Sequence, residues 1–188
     1  MYVPGRGLLG SIAPSFCKAG RLAVITRSGT LTLAMARQLT LAGIGQSLVA
    51  HIGGDTVIGR NPHEYLGALA HEPATEAVLY CGEIGGDKEY AFAEAMRGFP
   101  KPVVAMVVGR HAPAEKRMGH AGALVGSTRE GAAAKLAALA AAGCRGGGGT
   151  RAGGRDAERA WIGEGVTSRA GIVCNGGRYY LLPITATP

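Results

Sequence analysis

His120 is the residue whose type and surroundings point most directly to chemistry. It lies between Gly119 and Gly122, within a segment of small side chains. A neutral imidazole can act as nucleophile, general base or metal ligand near pH 7, and glycine lets a large partner approach the backbone. Because histidine also occurs in ordinary turns, the rest of the chain must decide whether His120 belongs to a site.

Glu83 is the second candidate, since it follows the apolar segment 77–81 and stands among Gly82, Gly85 and Gly86. In a purely structural turn Asp or Asn would be commoner than Glu. A carboxylate can accept the Nδ1 hydrogen of an imidazole, which leaves Nε2 as the nucleophile and stabilises positive charge on the ring. The alternative is a solvated glutamate in a loop.

Ser28, Gly29 and Thr30 stand between an apolar segment and a helical one. The unpaired amides of a helix start, together with the helix dipole, form a ready anion site, and a hydroxyl can bond a phosphate oxygen there. The alternative is simple capping of the helix. The Gly-Lys-Ser/Thr ending of a Walker loop is absent.

The elements that must position these residues alternate along the chain. Apolar segments predict strands, and segments with helical spacing predict helices. The predicted strands are 21–26, 47–52, 77–81 and 102–108, with a fifth at 123–125, and the predicted helices are 30–42, 62–71, 88–97 and 130–142. This order predicts an α/β fold, a parallel sheet of about five strands with helices on both faces. Sites in such sheets form at the carboxyl ends of the strands, where the candidates converge.

Composition narrows the class of protein. The chain has 188 residues and a formal charge of +7, with basic residues scattered singly rather than in a block interleaved with aromatics. This distribution predicts no nucleic-acid partner. The four cysteines form no Cys-x-x-Cys pair and none has zinc spacing to a histidine, so we predict reduced thiols and no metal site. Without a secretory signal or a membrane-length apolar run, a cytoplasmic protein with no membrane partner is expected.

Three regions are predicted. Residues 1–20 form an irregular lead-in, residues 21–145 form the α/β domain, and residues 146–188 form a glycine-rich linker with an irregular, poorly ordered tail. Four consecutive glycines at 146–149 mark the linker.

The motifs, in this order, resemble the ligase domain of the succinyl-CoA synthetase (succinate–CoA ligase) alpha-subunit family. The two most specific are Gly-Glu-Ile-Gly-Gly at 82–86 and Arg-Met-Gly-His-Ala-Gly at 117–122. Further matching stretches are 27–32, 45–47, 52–55 and 101–104. Malate–CoA ligase, ATP-citrate lyase and ADP-forming acyl-CoA synthetases share versions of these motifs.

The resemblance implies a flavodoxin-like three-layer sandwich in which His120 is phosphorylated during turnover and Glu83 holds it. Ser28, Gly29 and Thr30 would face the phosphate, and the glycines beside Glu83 and His120 would support the two loops. A beta-type ATP-grasp subunit would supply ATP or GTP with Mg²⁺. The phosphoryl group would pass to succinate, and CoA would then displace it.

The sequence also departs from the family pattern. We expect no complete counterpart of the CoA-binding domain that opens the family's alpha subunits in these 188 residues, since only its last segment is matched, at 8–12. Segment 56–59 and the tail after position 145 also differ from the family. Two alternatives therefore stand beside the succinate ligase: a non-catalytic binding module or truncated relative that keeps the fold, and a ligase for another acid such as malate.

Overall fold

A computed structural model describes residues 1–113, 118–146, 170–175 and 178–183. Its main sheet contains seven strands, and four helices pack against it. The strands are β1 (Tyr2–Val3), β2 (Gly7–Leu8), β3 (Ala19–Thr26), β4 (Gln46–His51), β5 (Ala77–Glu83), β6 (Val103–Val108) and β7 (Arg145–Gly146). The helices are α1 (Gly29–Leu41), α2 (Glu64–His71), α3 (Lys88–Ala95) and α4 (Ala132–Ala141), and short 3-10 helices span Pro14–Phe16 and Thr128–Glu130.

Five neighbouring strands of the sheet are parallel. The strand order is β2-β1-β4-β3-β5-β6-β7, and only β1 and β2, at one edge, run antiparallel to their neighbours. The central strand β5 is buried along its whole length. Because both faces of a parallel sheet are covered, its strands are continuous apolar segments, as β5 is. The predicted α/β fold with about five parallel strands is confirmed.

Successive side chains of the strands point to opposite faces and fill two apolar cores. On one face, Ile25 and Tyr80 pack with Phe92 of α3 and Leu139 of α4. On the other face, Val24 and Leu79 lie in a cluster with Leu39 of α1. Helices therefore cover both faces, which gives the three-layer arrangement expected from the sequence.

The fifth parallel strand is not the predicted one. Residues 123–125 are not a strand, and β7 takes the place beside β6. The predicted strand at 123–125 is wrong because a loop uses the hydrogen-bonding groups of Ala123: its N–H donates to the His120 carbonyl, and its carbonyl accepts from the N–H of Met118. A three-residue apolar segment is too short for its periodicity to distinguish a strand from a loop.

The lead-in 1–20 contains more regular structure than an irregular segment would. Tyr2 pairs with Val49, so that β1 covers the outer edge of β4, and β2 pairs with β1. A strand of two residues is too short to show an alternating sequence pattern. This is why β1 and β2 were not predicted from the sequence. An exposed strand edge is often covered in this way.

The region 146–188 is described in part. Strands β8 (Ala170–Asn175) and β9 (Arg178–Pro183) form a separate antiparallel pair, where the sequence pattern predicts an irregular tail. The Gly-Gly dipeptide between them in the sequence is a common hairpin signal. Gly146, the first glycine of the predicted linker, is the last residue of β7, and the rest of the linker and of the tail lies outside the described residues. Within the described part of the chain, no helix is long and apolar enough to cross a membrane.

The backbones at Gly20 in β3 and at Gly45, just before β4, approach closely enough that a Cβ on Gly20 would overlap Gly45. We therefore expect Gly20→Ala to lower the free energy of unfolding by about 1–3 kcal/mol, because backbone must move to admit the methyl group. In α2, by contrast, nothing lies within 4 Å of a Cβ placed on Gly67. Gly67→Ala should stabilise the protein by about 0.5–1 kcal/mol. Urea unfolding of both variants tests this pair, and equal effects would contradict the packing described at Gly20.

Candidate functional site

Two chain segments that leave the carboxyl edge of the sheet side by side form the base of the site. Strands β3 and β5 pair in parallel with Thr26 opposite Cys81, so Arg27 and Glu83 both lie at this edge. Strand β4 ends at the same edge and is followed by the turn that contains Gly53 and Gly54. The sheet therefore brings together segments that are far apart in the sequence.

Glu83 and His120 are in direct contact. The Nδ1 atom of His120 lies 2.7 Å from Oε2 of Glu83, and the two side chains are 35% and 6% exposed, respectively. An ionised carboxylate can only accept, so Nδ1 carries the proton and the lone pair of the ring is on Nε2. The described residues give Nε2 no hydrogen-bond partner. The ring is thus held from the buried side and offers Nε2 on the exposed side.

The loop that carries His120 closes on itself. The N–H of His120 donates to Met118, and the N–H of Ala123 donates to His120. Gly119 has a φ of 79°, a left-handed conformation that glycine adopts at little cost. A further bond, from the N–H of Gly122 to the Gly54 carbonyl at 2.9 Å, fastens the loop to the turn after β4.

Glycines on the neighbouring turns leave the space for this loop. A Cβ on Gly54 would overlap the ring of His120, and a Cβ on Gly85 would overlap the Gly122 carbonyl. Gly85 also has a φ of 83° and Gly86 a φ of 64°. A side chain at Gly54 or Gly85 would displace the loop. The absence of side chains at these two positions therefore allows His120 to lie against Glu83.

Arg27 joins this pair from the buried side. Its NH2 atom lies 3.1 Å from Oε1 of Glu83, and its side chain is 1% exposed. Its NH1 atom lies 3.1 Å from Oε1 of Glu89, in α3. Each carboxylate oxygen of Glu83 therefore faces a different partner. Oε2 is hydrogen-bonded to His120, whereas Oε1 forms an ion pair with Arg27 that lacks hydrogen-bond geometry.

Glu89 and Lys135 complete a buried charged cluster. The two side chains are fully buried and form an ion pair. Burial lowers the pKa of the Lys135 ammonium, and the neighbouring Glu89 opposes that change. Sequence analysis missed both residues, although their positions carried a signal. Glu89 shares the buried face of α3 with Phe92, and Lys135 shares that of α4 with Leu139, so each is a charge at a core position of its helix.

Cys81 also lies near these carboxylates. Burial, reinforced by the charges of Glu83 and Glu89, raises the pKa of the Cys81 thiol to about 12. Because the thiolate is the reactive form of cysteine, this thiol is inert near neutral pH. Cys81 is therefore not a candidate nucleophile, and His120 is the candidate that this cluster offers.

Ser28, Gly29 and Thr30 lie at the start of α1. The Oγ atom of Ser28 accepts a hydrogen bond from the Leu31 N–H at 3.4 Å, which is the capping role that the sequence left open. Thr30 is exposed. No contact described in the structure joins the three residues to His120, and their role in binding phosphate stays a prediction.

A separate groove of about 870 Å³ lies at the opposite, amino-terminal edge of the sheet. Its lining includes Gly20, Gln46 and Thr75, at or just before the starts of three strands, and apolar residues of the lead-in such as Val3 and Leu8. Arg27, Glu83 and His120 are not part of its lining.

Comparison with known proteins places this arrangement among CoA ligases. The CoA-ligase family matches residues 25–145. The chain is 46% identical over 142 residues to the ADP-forming succinate–CoA ligase subunit alpha 1 of Archaeoglobus fulgidus, an overlap of 76% of this chain and 49% of that protein. It is 43% identical over 133 residues to the malate–CoA ligase subunit alpha of Methylorubrum extorquens, covering 70% of this chain and 45% of that protein.

Solved structures share the fold. An ATP citrate lyase from Methanosaeta concilii, in complex with (3S)-citryl-CoA, superposes with a TM-score of 0.65 at 29% identity, over 69% of this chain and 22% of that chain. The chain spans about half the length of the curated relatives it matches. The shared part includes Glu83, His120 and the charged cluster beneath them.

The overlap that a Cβ on Gly54 would make with the His120 ring gives a direct test of the site geometry. We expect Gly54→Ala to push the ring away from Glu83 and to abolish the NMR signal of the hydrogen-bonded Nδ1 proton. Gly59→Ala is the matched control, because nothing lies within 4 Å of a Cβ at that position. A signal unchanged in Gly54→Ala would contradict the described packing.

Proposed function

This chain belongs to the CoA-ligase family, and from that premise we propose that it is the ligase part of a succinate–CoA ligase alpha-type subunit, with His120 as the residue that carries a phosphoryl group. The observation that supports this most directly is the 2.7 Å contact between Nδ1 of His120 and the buried Glu83 carboxylate. It fixes the tautomer in which Nε2 is the nucleophile, as in other imidazoles oriented by a carboxylate.

In the proposed reaction, Nε2 of His120 attacks the terminal phosphorus of a nucleoside triphosphate. The N–P bond forms as the P–O bond to the diphosphate breaks, and the bonding electrons leave with the diphosphate oxygen. Positive charge develops on the ring, and Glu83 stabilises it through Nδ1–H. Phosphoryl transfer of this kind depends mainly on positioning and electrostatics, which the held ring supplies.

The second half of the reaction returns His120 to its starting state. A carboxylate oxygen of the acid attacks the phosphorus, the N–P bond breaks, and its electrons return to Nε2. The thiol of CoA then attacks the acyl carbon, loses its proton, and displaces phosphate. We propose that Ser28, Gly29 and Thr30 at the start of α1 help to hold the phosphoryl oxygens, because the amides of a helix start favour anions.

We assign the nucleotide site, with ATP or GTP and its Mg²⁺, to a beta-type ATP-grasp partner subunit. Within the described residues, no group of three His, Cys, Asp or Glu side chains is arranged to hold a metal ion. The proposed partner is supported by the alpha-subunit names of the relatives. Succinate is proposed as the acid because the succinate relative has the higher identity of the two, with malate as the alternative.

The proposal predicts an acid-labile phosphoryl group on His120. The full chain is mixed with the beta subunit of a succinate–CoA ligase, Mg²⁺ and ATP labelled at the terminal phosphate. Label should appear on the chain, be lost in acid and survive base. His120→Asn should abolish it, and Glu83→Gln should slow labelling on the order of 100-fold or more, because the ring loses its charged partner.

His71→Asn is the control, since His71 is an exposed histidine at the end of α2. The beta subunit with its own alpha subunit shows that the assay works. If the chain binds the beta subunit but takes up no label, the proposed catalysis is wrong and the binding-module alternative is favoured. Adding CoA with succinate or with malate to the labelled chain then shows which acid removes the label.

A further inference from the structure

Building on the proposed role of His120, we propose that Glu89 and Lys135 are positioning residues for it. Glu89 divides Arg27 between two carboxylates, and Lys135 balances the charge of Glu89 and holds the Glu83 carbonyl. Through these contacts the pair sets how strongly Glu83 binds the imidazole. Neither residue touches the exposed Nε2 side of the ring, so both act through Glu83.

The charges of the buried cluster balance. Arg27 and Lys135 are positive, Glu83 and Glu89 are negative, and all four side chains are at most 6% exposed. Buried charges are costly unless they are paired and hydrogen-bonded. His120, at 35% exposure, is the partly exposed group that borders this neutral cluster. A change of one charge inside the cluster therefore acts on the imidazole through a medium with little water to screen it.

Glu89 keeps NH1 of Arg27 away from the carboxylate of Glu83. A guanidinium binds a carboxylate best when two of its nitrogens face the two oxygens. Here NH2 faces Oε1 of Glu83, and NH1 lies 3.1 Å from Oε1 of Glu89 and 3.4 Å from Oε2. NH1 also donates to the backbone carbonyls of Glu83 and Gly85, at 3.4 Å and 3.2 Å. Without the charge on Glu89, NH1 would lose its carboxylate partner and would compete for Oε2 of Glu83, the atom that holds His120.

The pair also fixes the backbone of Glu83. The Glu83 N–H donates to Oε1 of Glu89 at 3.1 Å, and the Glu83 carbonyl accepts from Nζ of Lys135 at 2.9 Å. The Lys135 ammonium donates its other two hydrogens to the Gly85 carbonyl and to Glu89. Tyr80 adds a hydroxyl that donates to Glu89 at 3.2 Å. Glu83 is thus held at its N–H, its carbonyl and its carboxylate by one connected cluster.

Apart from the buried Cys81 thiol and Tyr80 hydroxyl, the following ionisable groups described at this edge are closer to solvent. Asp55 is exposed, and its carbonyl accepts from Nζ of Lys88 at 3.2 Å. His51 ends β4 beside the start of α1, and Glu130 meets Gly85 through a backbone hydrogen bond. Because water and salt screen exposed charges, we expect these groups to affect His120 less than the buried pair does.

The test is an NMR titration of the His120 ring in the full chain, with its signal assigned by its loss in His120→Asn. Glu89→Gln leaves the cluster with one excess positive charge, so the titration midpoint should fall by about one pH unit. Lys135→Met leaves one excess negative charge, so the midpoint should rise by about half a unit to one unit. Midpoint shifts in opposite directions would indicate an electrostatic effect, because damage to packing would not shift the midpoints of the two variants in opposite directions.

Two further variants make the test decisive. Glu94→Gln removes a carboxylate from the same helix, but that side chain is 75% exposed and pairs with Arg97, so the midpoint should not move. The double variant Glu89→Gln/Lys135→Met restores neutrality, and its midpoint should lie between those of the two single variants, within about half a unit of the original chain. If either single variant fails to fold, the double variant alone tests the proposal, and a larger displacement in it overturns the charge-balancing role.

The proposal is wrong if both single variants move the midpoint in the same direction, or if neither moves it. This measurement needs neither a nucleotide nor a partner subunit. If the chain takes up label but neither variant moves the titration midpoint of His120, the proposed function stands and the positioning role of Glu89 and Lys135 is wrong. If the two variants shift the midpoint in opposite directions but the chain is never labelled, the positioning role stands and the proposed function is wrong.

Discussion

The buried carboxylate of Glu83 is the group on which the rest of the site depends. It lies between Arg27, which holds one oxygen from the core, and His120, which binds the other from the surface. A carboxylate with 6% exposure would be costly alone, and the charge of Arg27 together with the hydrogen bond from His120 offsets that cost. The same negative charge orients the imidazole and stabilises it when positive, so one interaction links the stability of the fold to the chemistry.

The sheet makes this interaction possible by setting where segments end. Parallel pairing of β3 with β5 places Arg27 next to the end of the strand that contains Glu83. The loop of His120 is then seated on turns that have no room for side chains, at Gly54 and Gly85. Close backbone approach, rather than flexibility, is what glycine supplies at these two positions.

The sequence was sufficient for the fold class and for the direct pair, Glu83 and His120, because apolar segments alternate with helices and glycines flank both residues. It was insufficient for the charged cluster, since Arg27, Glu89 and Lys135 meet only through tertiary packing. Lys135 lies in an alanine-rich helix, where a single charged residue would be expected to face solvent. Its burial becomes predictable only when one notices that Lys135 and Leu139 share a helical face. The strand predicted at 123–125 is wrong because the N–H and the carbonyl of Ala123 form hydrogen bonds within the His120 loop.

In the proposed mechanism, Glu83 holds Nδ1 of His120 and leaves Nε2 to react. The most direct measurement is the position of the phosphoryl group on the ring, determined by ³¹P and ¹⁵N NMR of the phosphorylated full chain with labelled histidine. We expect phosphorus on Nε2, with Nδ1 still carrying a hydrogen. Phosphorus on Nδ1, or on a residue other than His120, would contradict it.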